Sequence, residues 1–143
     1  MSRLYNILAK LVTNPIIEKG TSGAWTYRKY ADGTYECWSH QEATKTVNAN
    51  TVLSFGTPSF PVTFAERPVI SVSGGGDGQP SVAPFYSKSS TTGADIWVFN
   101  RMSSTFTGKI YVDIHAIGKL GGVVRLLKSK IADILEKGGV CYE

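Results

Sequence analysis

Asp113 and His115 stand two residues apart in GKIYVDIHAIGK, a spacing that places both on one face of an extended strand. A carboxylate there can orient an imidazole for proton transfer, but hydrolysis also needs a nucleophile or a second catalytic carboxylate. No Ser or Cys is set beside the pair by a recognisable motif, so it reads as a structural ion pair at an interface. His40 and His115 are the only histidines, without a third ligand at zinc spacing. Cys37 and Cys141 match neither a metal spacing nor a CxxC redox motif, and read as reduced and unpaired. The run SGGGDGQP lacks the Lys and Ser/Thr that complete a phosphate-binding loop; it reads as a flexible inter-strand loop whose tip, at Asp77, can touch a receptor. No catalytic residue, metal or cofactor is expected.

The side chains left for recognition are aromatic. Trp97, Tyr86 and Phe85 can stack on the C–H face of a sugar ring, although core or interface burial also accounts for such residues. The net charge of +4 is spread along the chain. Its densest group, Arg125, Lys128, Lys130 and Lys137, falls in a helical pattern and reads as a solvated face, so nucleic acid is not an expected partner. No apolar run approaches the roughly 20 residues of a membrane span. The opening segment is broken by Asn6, Lys10 and Asn14, unlike a signal peptide, and reads as part of the mature protein.

Positioning these residues falls to a chain of 143 residues, enough for one domain burying roughly 70% of its unfolded surface. Met1, Leu4, Leu8 and Leu11 mark one stripe of a helix that Pro15 ends. From Gly20 the pattern turns to short strands. Asp32-Gly33 suits a two-residue type I′ turn, which would set Lys29 opposite Glu36, Tyr27 opposite Trp38, Trp25 opposite His40, Tyr30 opposite Tyr35 and Arg28 opposite Cys37. Further strands are predicted near 44–48, 51–55, 59–64, 68–73, 81–86, 94–101 and 109–117, with Pro58, Pro61, Pro68 and Pro84 at strand starts, edges or bulges. The fold class is therefore all-β, an antiparallel sandwich with short terminal helices.

In the last strands Ile110, Val112, Ile114 and Ala116 share one face and Tyr111, Asp113, His115 and Ile117 the other; Ile96 and Val98 oppose Trp97 and Phe99. Bulky groups on both faces call for a cover, for which another subunit is the economical choice. After Gly121-Gly122, Val124, Leu127, Ile131 and Ile134 form a second helical stripe, ended by Gly138-Gly139. Three segments result: 1–19, helix and linker for oligomerisation; 20–119, the sandwich head; and 120–143, a helical segment and tail.

The ordered series GTSGAWTYRKYADGTYECW, SFPVTFAERPVISV, STTGADIWVFNR and VDIHAIGK resembles the C-terminal head domains of tail-fibre and minor structural proteins in phages and prophages of Gram-positive bacteria. Those heads look like H-type lectins, six-stranded antiparallel sandwiches that assemble as trimers. The resemblance implies a non-catalytic homotrimeric receptor-binding head of a virion tail, assembled in the bacterial cytoplasm. Its partners would be a bacterial surface glycan or other receptor, and other tail proteins. A dedicated lectin and, further off, a tail-associated hydrolase are the alternatives. On this reading Trp97, Tyr86, Phe85 and Asp77 are candidate ligand contacts. Leu4, Leu8, Leu11, Trp97, Phe99, Tyr111 and His115 are the candidate trimer interface, gathered near the three-fold axis.

Overall fold

A computed structural model describes residues 2–121 and Ile134, with only the backbone described at residues 2, 7 and 9–12. Helix α1 covers Ser2–Thr13. It stops where Pro15 removes a donor and bars the α conformation from the preceding residue, and Asn14 takes a left-handed φ of 45°. Eight strands follow: β1 (Ile16–Ser22), β2 (Trp25–Tyr30), β3 (Thr34–Val47), β4 (Thr51–Gly56), β5 (Val69–Gly76), β6 (Val82–Ser89), β7 (Ala94–Asn100) and β8 (Phe106–Lys119). They form a five-stranded sheet in the order β1-β2-β3-β8-β5 and a three-stranded sheet in the order β4-β7-β6, with every pairing antiparallel. The sandwich is as expected, but it has eight strands where the resemblance implied six. Its first strand begins at Ile16, inside the stretch read as linker. Of the predicted C-terminal helical stripe, Ile134 is helical; Val124, Leu127, Ile131 and the basic residues beside them lie outside the described residues.

The β2–β3 hairpin is shifted by one residue from the expected register. Lys29 pairs with Tyr35, Arg28 with Glu36, Tyr27 with Cys37, Thr26 with Trp38 and Trp25 with Ser39. The reason lies in the turn. A type I′ turn needs positive φ at both Asp32 and Gly33, whereas here only Gly33 has it, at 89°. Gly33 N donates to Tyr30 O at 3.0 Å, so Ala31, Asp32 and Gly33 form a three-residue loop: a type I turn closed by a left-handed glycine. The shift carries Tyr35 and Cys37 to the inner face with Trp25 and Tyr27, and leaves Glu36 and Trp38 outside.

Two other segments depart from their sequence patterns. The run 59–64, rich in β-formers, makes only isolated bridges at Ser59 and Phe64. It lays Phe60 and Phe64 over the open end of the sandwich, edge-on to Trp25 and Tyr35 at centroid distances of 5.6 and 5.8 Å. Gly74, Gly75 and Gly76, read as loop, belong to β5 and pair with Val112, Tyr111 and Ile110. Here glycine answers a close approach: a Cβ on Gly74, at φ 138°, would run into the carbonyl of Tyr111, and one on Gly76 would come within 2.9 Å of Val82.

Between the sheets, Ile110, Val112, Ile114 and Ala116 of β8 meet Ile96 and Val98 of β7, all essentially without solvent contact. This is the inward alternation expected for both strands. Asn100 is buried with them. Its Nδ2 donates to the carbonyls of Val47, Asn48 and Ser104, and its Oδ1 accepts from Met102 N, so one amide ties together both loops at that end of the sandwich. Pro84 sits on β6, an edge strand, where its missing donor leaves no gap in the ladder.

Candidate functional site

Strand alternation gives the sandwich two outer faces. On the large sheet, β3 presents Glu36, Trp38, His40 and Glu42 beside Lys109, Tyr111, Asp113 and His115 of β8. Asp113 and His115 each find a partner on the neighbouring strand. His40 Nδ1 is hydrogen-bonded to Asp113 Oδ1, directly opposite it, and His115 Nε2 lies 3.3 Å from Glu36 Oε1. The hydrogen bond to Asp113, helped by its charge, raises the His40 pKa above the ordinary imidazole value. The guanidinium of Arg28 lies 4.9 Å from the Trp38 ring centre, and Lys109 bridges Glu42 at 3.4 Å. Across β5, Ser71 stands opposite His115 and Ser73 opposite Asp113, but neither serine is hydrogen-bonded to its opposite number. Among the described residues no group of three or more His, Cys, Asp and Glu is placed to hold a metal ion.

The small sheet turns outward a row of Val52, Phe99 and Ala83 and, beside it, a row of Ser54, Trp97 and Phe85. Val52 is 48% exposed and Phe85 38%, while Arg101 reaches back over the Phe99 ring at 5.6 Å. Val52, Ala83, Pro84, Phe85, Phe99 and Arg101 line a shallow, largely apolar groove there.

The predicted residues are therefore only partly assembled. Phe85 and Trp97 are cross-strand neighbours on one face. Tyr86 opposes Ile96, whose side chain points inward, so it takes the other side of β6 from Phe85 and lies at the sandwich margin. Asp77 occupies the turn between the sheets, where its N–H bonds the Lys109 carbonyl. Trp97 and Phe99 belong to the small sheet, Tyr111 and His115 to the large one. Alternation sends the two pairs to opposite sides of the molecule, so the four cannot form a single face around an axis. In the N-terminal stripe Leu4 is half-buried and Leu8 exposed on α1; the Leu11 side chain lies outside the described residues.

A concave site went unread in the sequence. Thr57, Ser59, Lys88, Ser90, Thr92 and Asp95 line a depression of about 230 Å³ where β6 turns into β7. The hydroxyl-rich run KSSTTGAD was its visible trace. Thr57 enters the site from just beyond the end of β4, and both β4 and β6 carry a bulge at that end of the small sheet.

No protein-family model matches the chain, and no curated protein matches it. Solved structures do. The R1 pyocin fibre of P. aeruginosa superposes with a TM-score of 0.56 at 17% identity, over 71% of this chain and 27% of the fibre chain. An N-truncated R1-type pyocin tail fibre gives a TM-score of 0.56 at 17% identity, over 77% of this chain and 93% of its own. The chain thus spans about a quarter of the longer fibre and nearly all of the truncated one. The tail-fibre resemblance carried by the motif series is met at the level of fold: this is a β-sandwich of the kind found in the R1 pyocin tail fibre.

Proposed function

We propose that the protein is a non-catalytic binding head of a phage-type tail fibre, acting as a homotrimer that recognises glycans on a bacterial surface. The observation that carries this reading is the shared sandwich fold, extending over 93% of a truncated tail fibre. The H-type-lectin-like character belongs to the same proposal, with a dedicated lectin as the second reading; the outward pair of exposed Phe85 and half-buried Trp97 favours either. In a cyclic trimer each contact joins two different patches of neighbouring subunits. The large-sheet face, with Trp38, Tyr111 and His115, is the one assigned to the axis together with the α1 stripe, leaving the small-sheet face for the receptor. Three equivalent sites on one rigid particle convert weak single contacts into firm attachment.

The test has two arms. Light scattering on the whole chain should give the mass of three 15.5 kDa subunits. An array of bacterial surface polysaccharides should capture the labelled protein. A monomeric mass at micromolar concentration removes the trimer. Loss of polysaccharide turbidity on incubation with the pure protein would replace the binding head by a hydrolase.

A further inference from the structure

We propose that the depression at the β6–β7 hairpin is a sugar site: it holds one neutral, hydroxyl-rich ring between Asp95 and Lys88, with the ring's C–H face toward Trp97. The inference rests on the receptor-binding reading and adds to it a location and a ligand class.

The first support is a pair of charges with capacity to spare. Lys88 and Asp95 are register partners across β6 and β7, yet Lys88 forms no ion pair among the described residues. Thr57 Oγ1 donates to Asp95 Oδ1 at 2.8 Å, which fixes the carboxylate and leaves Oδ2 accepting no hydrogen bond among the described residues. A sugar hydroxyl is at once donor and acceptor. One that donates to Asp95 and accepts from Lys88 satisfies both ions with charge-assisted bonds. Because the two charges cancel, a neutral ring fits better than a phosphate or a uronate.

The second support is rigidity. Ser90 Oγ accepts from the N–H groups of both Thr92 and Gly93 at 3.2 Å, closing the hairpin tip on itself. Phe60 N donates to Thr92 O at 2.7 Å and Ala94 N to Pro58 O at 3.3 Å, so the segment carrying Thr57 and Ser59 is tied to that tip. The pocket walls are in place before any ligand arrives, which lowers the ordering cost of binding.

The third support is what adjoins the pocket. Asp95 and Trp97 are two residues apart on the outward face of β7, with Phe85 opposite Trp97. A polar grip bordered by an aromatic platform matches a ring with hydroxyls at its rim and an apolar face. At about 230 Å³ the depression is smaller than the roughly 300–1,000 Å³ of sites that enclose drug-sized ligands, so it takes a single ring of a longer glycan.

The experiment titrates the ¹⁵N-labelled full chain with methyl α-D-glucopyranoside, methyl β-D-galactopyranoside, N-acetylglucosamine and L-rhamnose at millimolar concentration, and runs the polysaccharide array in parallel. Amides of residues 88–95 and the Trp97 indole should shift with at least one sugar. Asp95→Asn and Lys88→Ala should each weaken binding about tenfold, the loss of one charge-assisted bond. Unchanged amide spectra away from the pocket will show that both variants are folded. Array binding that survives both substitutions, or shifts confined to other strands, overturns the pocket while the receptor reading stands. Absence of both array binding and shifts overturns the two together.

Discussion

Asp32 and Lys119, 87 residues apart, meet at 2.7 Å: the carboxylate in the β2–β3 loop accepts from the ammonium at the end of β8. The same carboxylate takes the Thr34 N–H at 2.8 Å, while Asp32 N donates to Asn14 Oδ1 at 2.9 Å. Partial desolvation pushes the Asp32 pKa up, but the hydrogen bonds from Lys119 and Thr34 outweigh it and bring it down to about 2 from 3.8. The unfolded chain therefore binds more protons between these values. The contribution to stability is full above pH 3.8 and fades as pH falls through about 2. With the side chain 39% exposed, solvent screening holds the effect to about 1 kcal/mol. Denaturant titrations of Asp32→Ala against the parent should differ by that amount at pH 7 and converge near pH 2; a constant gap would remove the ion pair from the account.

Gly33→Val should lower stability by roughly 1 kcal/mol or more, because a β-branched residue resists the φ of 89° that closes the hairpin loop. The thermal midpoint reads this directly. An unchanged midpoint would mean that the loop can rearrange at no cost.

Cys37 has 0% exposure, and burial pushes its thiol up to about 12. Native protein at pH 8 should therefore resist alkylation at Cys37, and denaturation should release it. Intact mass after alkylation in denaturant, without reductant, should show two modified thiols per chain, since Cys37 and Cys141 are expected to be unbridged. Finding neither thiol modified would establish a bridge.

His40 should titrate above the ordinary 6.5, with Asp113 as the cause. A raised folded value means that this contact stabilises fully below 6.5 and loses its effect as pH climbs through the folded pKa. Following the imidazole carbon proton by NMR should show the midpoint falling toward 6.5 in Asp113→Asn. If the midpoint stays put, the shift has another source.

Tyr111→Glu should dissociate the proposed trimer while preserving the β signal, because it adds a carboxylate beside Glu42 and Asp113 on the large-sheet face. Phe99→Glu, on the opposite side of the sandwich, should leave the mass unchanged. The reverse outcome in light scattering would transfer the subunit contact to the small sheet.

The sequence was most readable where strict alternation runs long. In β8 the inward Ile110, Val112, Ile114 and Ala116 and the outward Tyr111, Asp113 and His115 fall as their period demands. It was ambiguous where one residue serves two geometries. Asp32-Gly33 is compatible with a two-residue or a three-residue loop, and a one-residue slip exchanged the neighbours along the hairpin. It misled where a residue's usual meaning was overridden by packing, as with Gly74 inside a strand and Phe60 and Phe64 in a plug. The face each late aromatic occupies was legible, but the sheet to which it belongs was not. Periodicity carries no record of strand order, and the site joining Thr57, Lys88 and Asp95 depends on that order.

The ladder between β3 and β8 runs their full 14 residues, pairing Thr34 with Lys119 at one end and Val47 with Phe106 at the other. β8 also carries β5, so an interior strand of the large sheet is the last of the described strands to leave the ribosome. Until it emerges, the β1–β2–β3 meander has a bare inner edge at Tyr35 and Cys37, and β5 has no partner in its sheet. Pairings this distant in sequence make folding slow and leave strand edges open to other chains meanwhile. Synthesis of this sandwich is thus a period of exposure that ends only with β8, the last of the described strands.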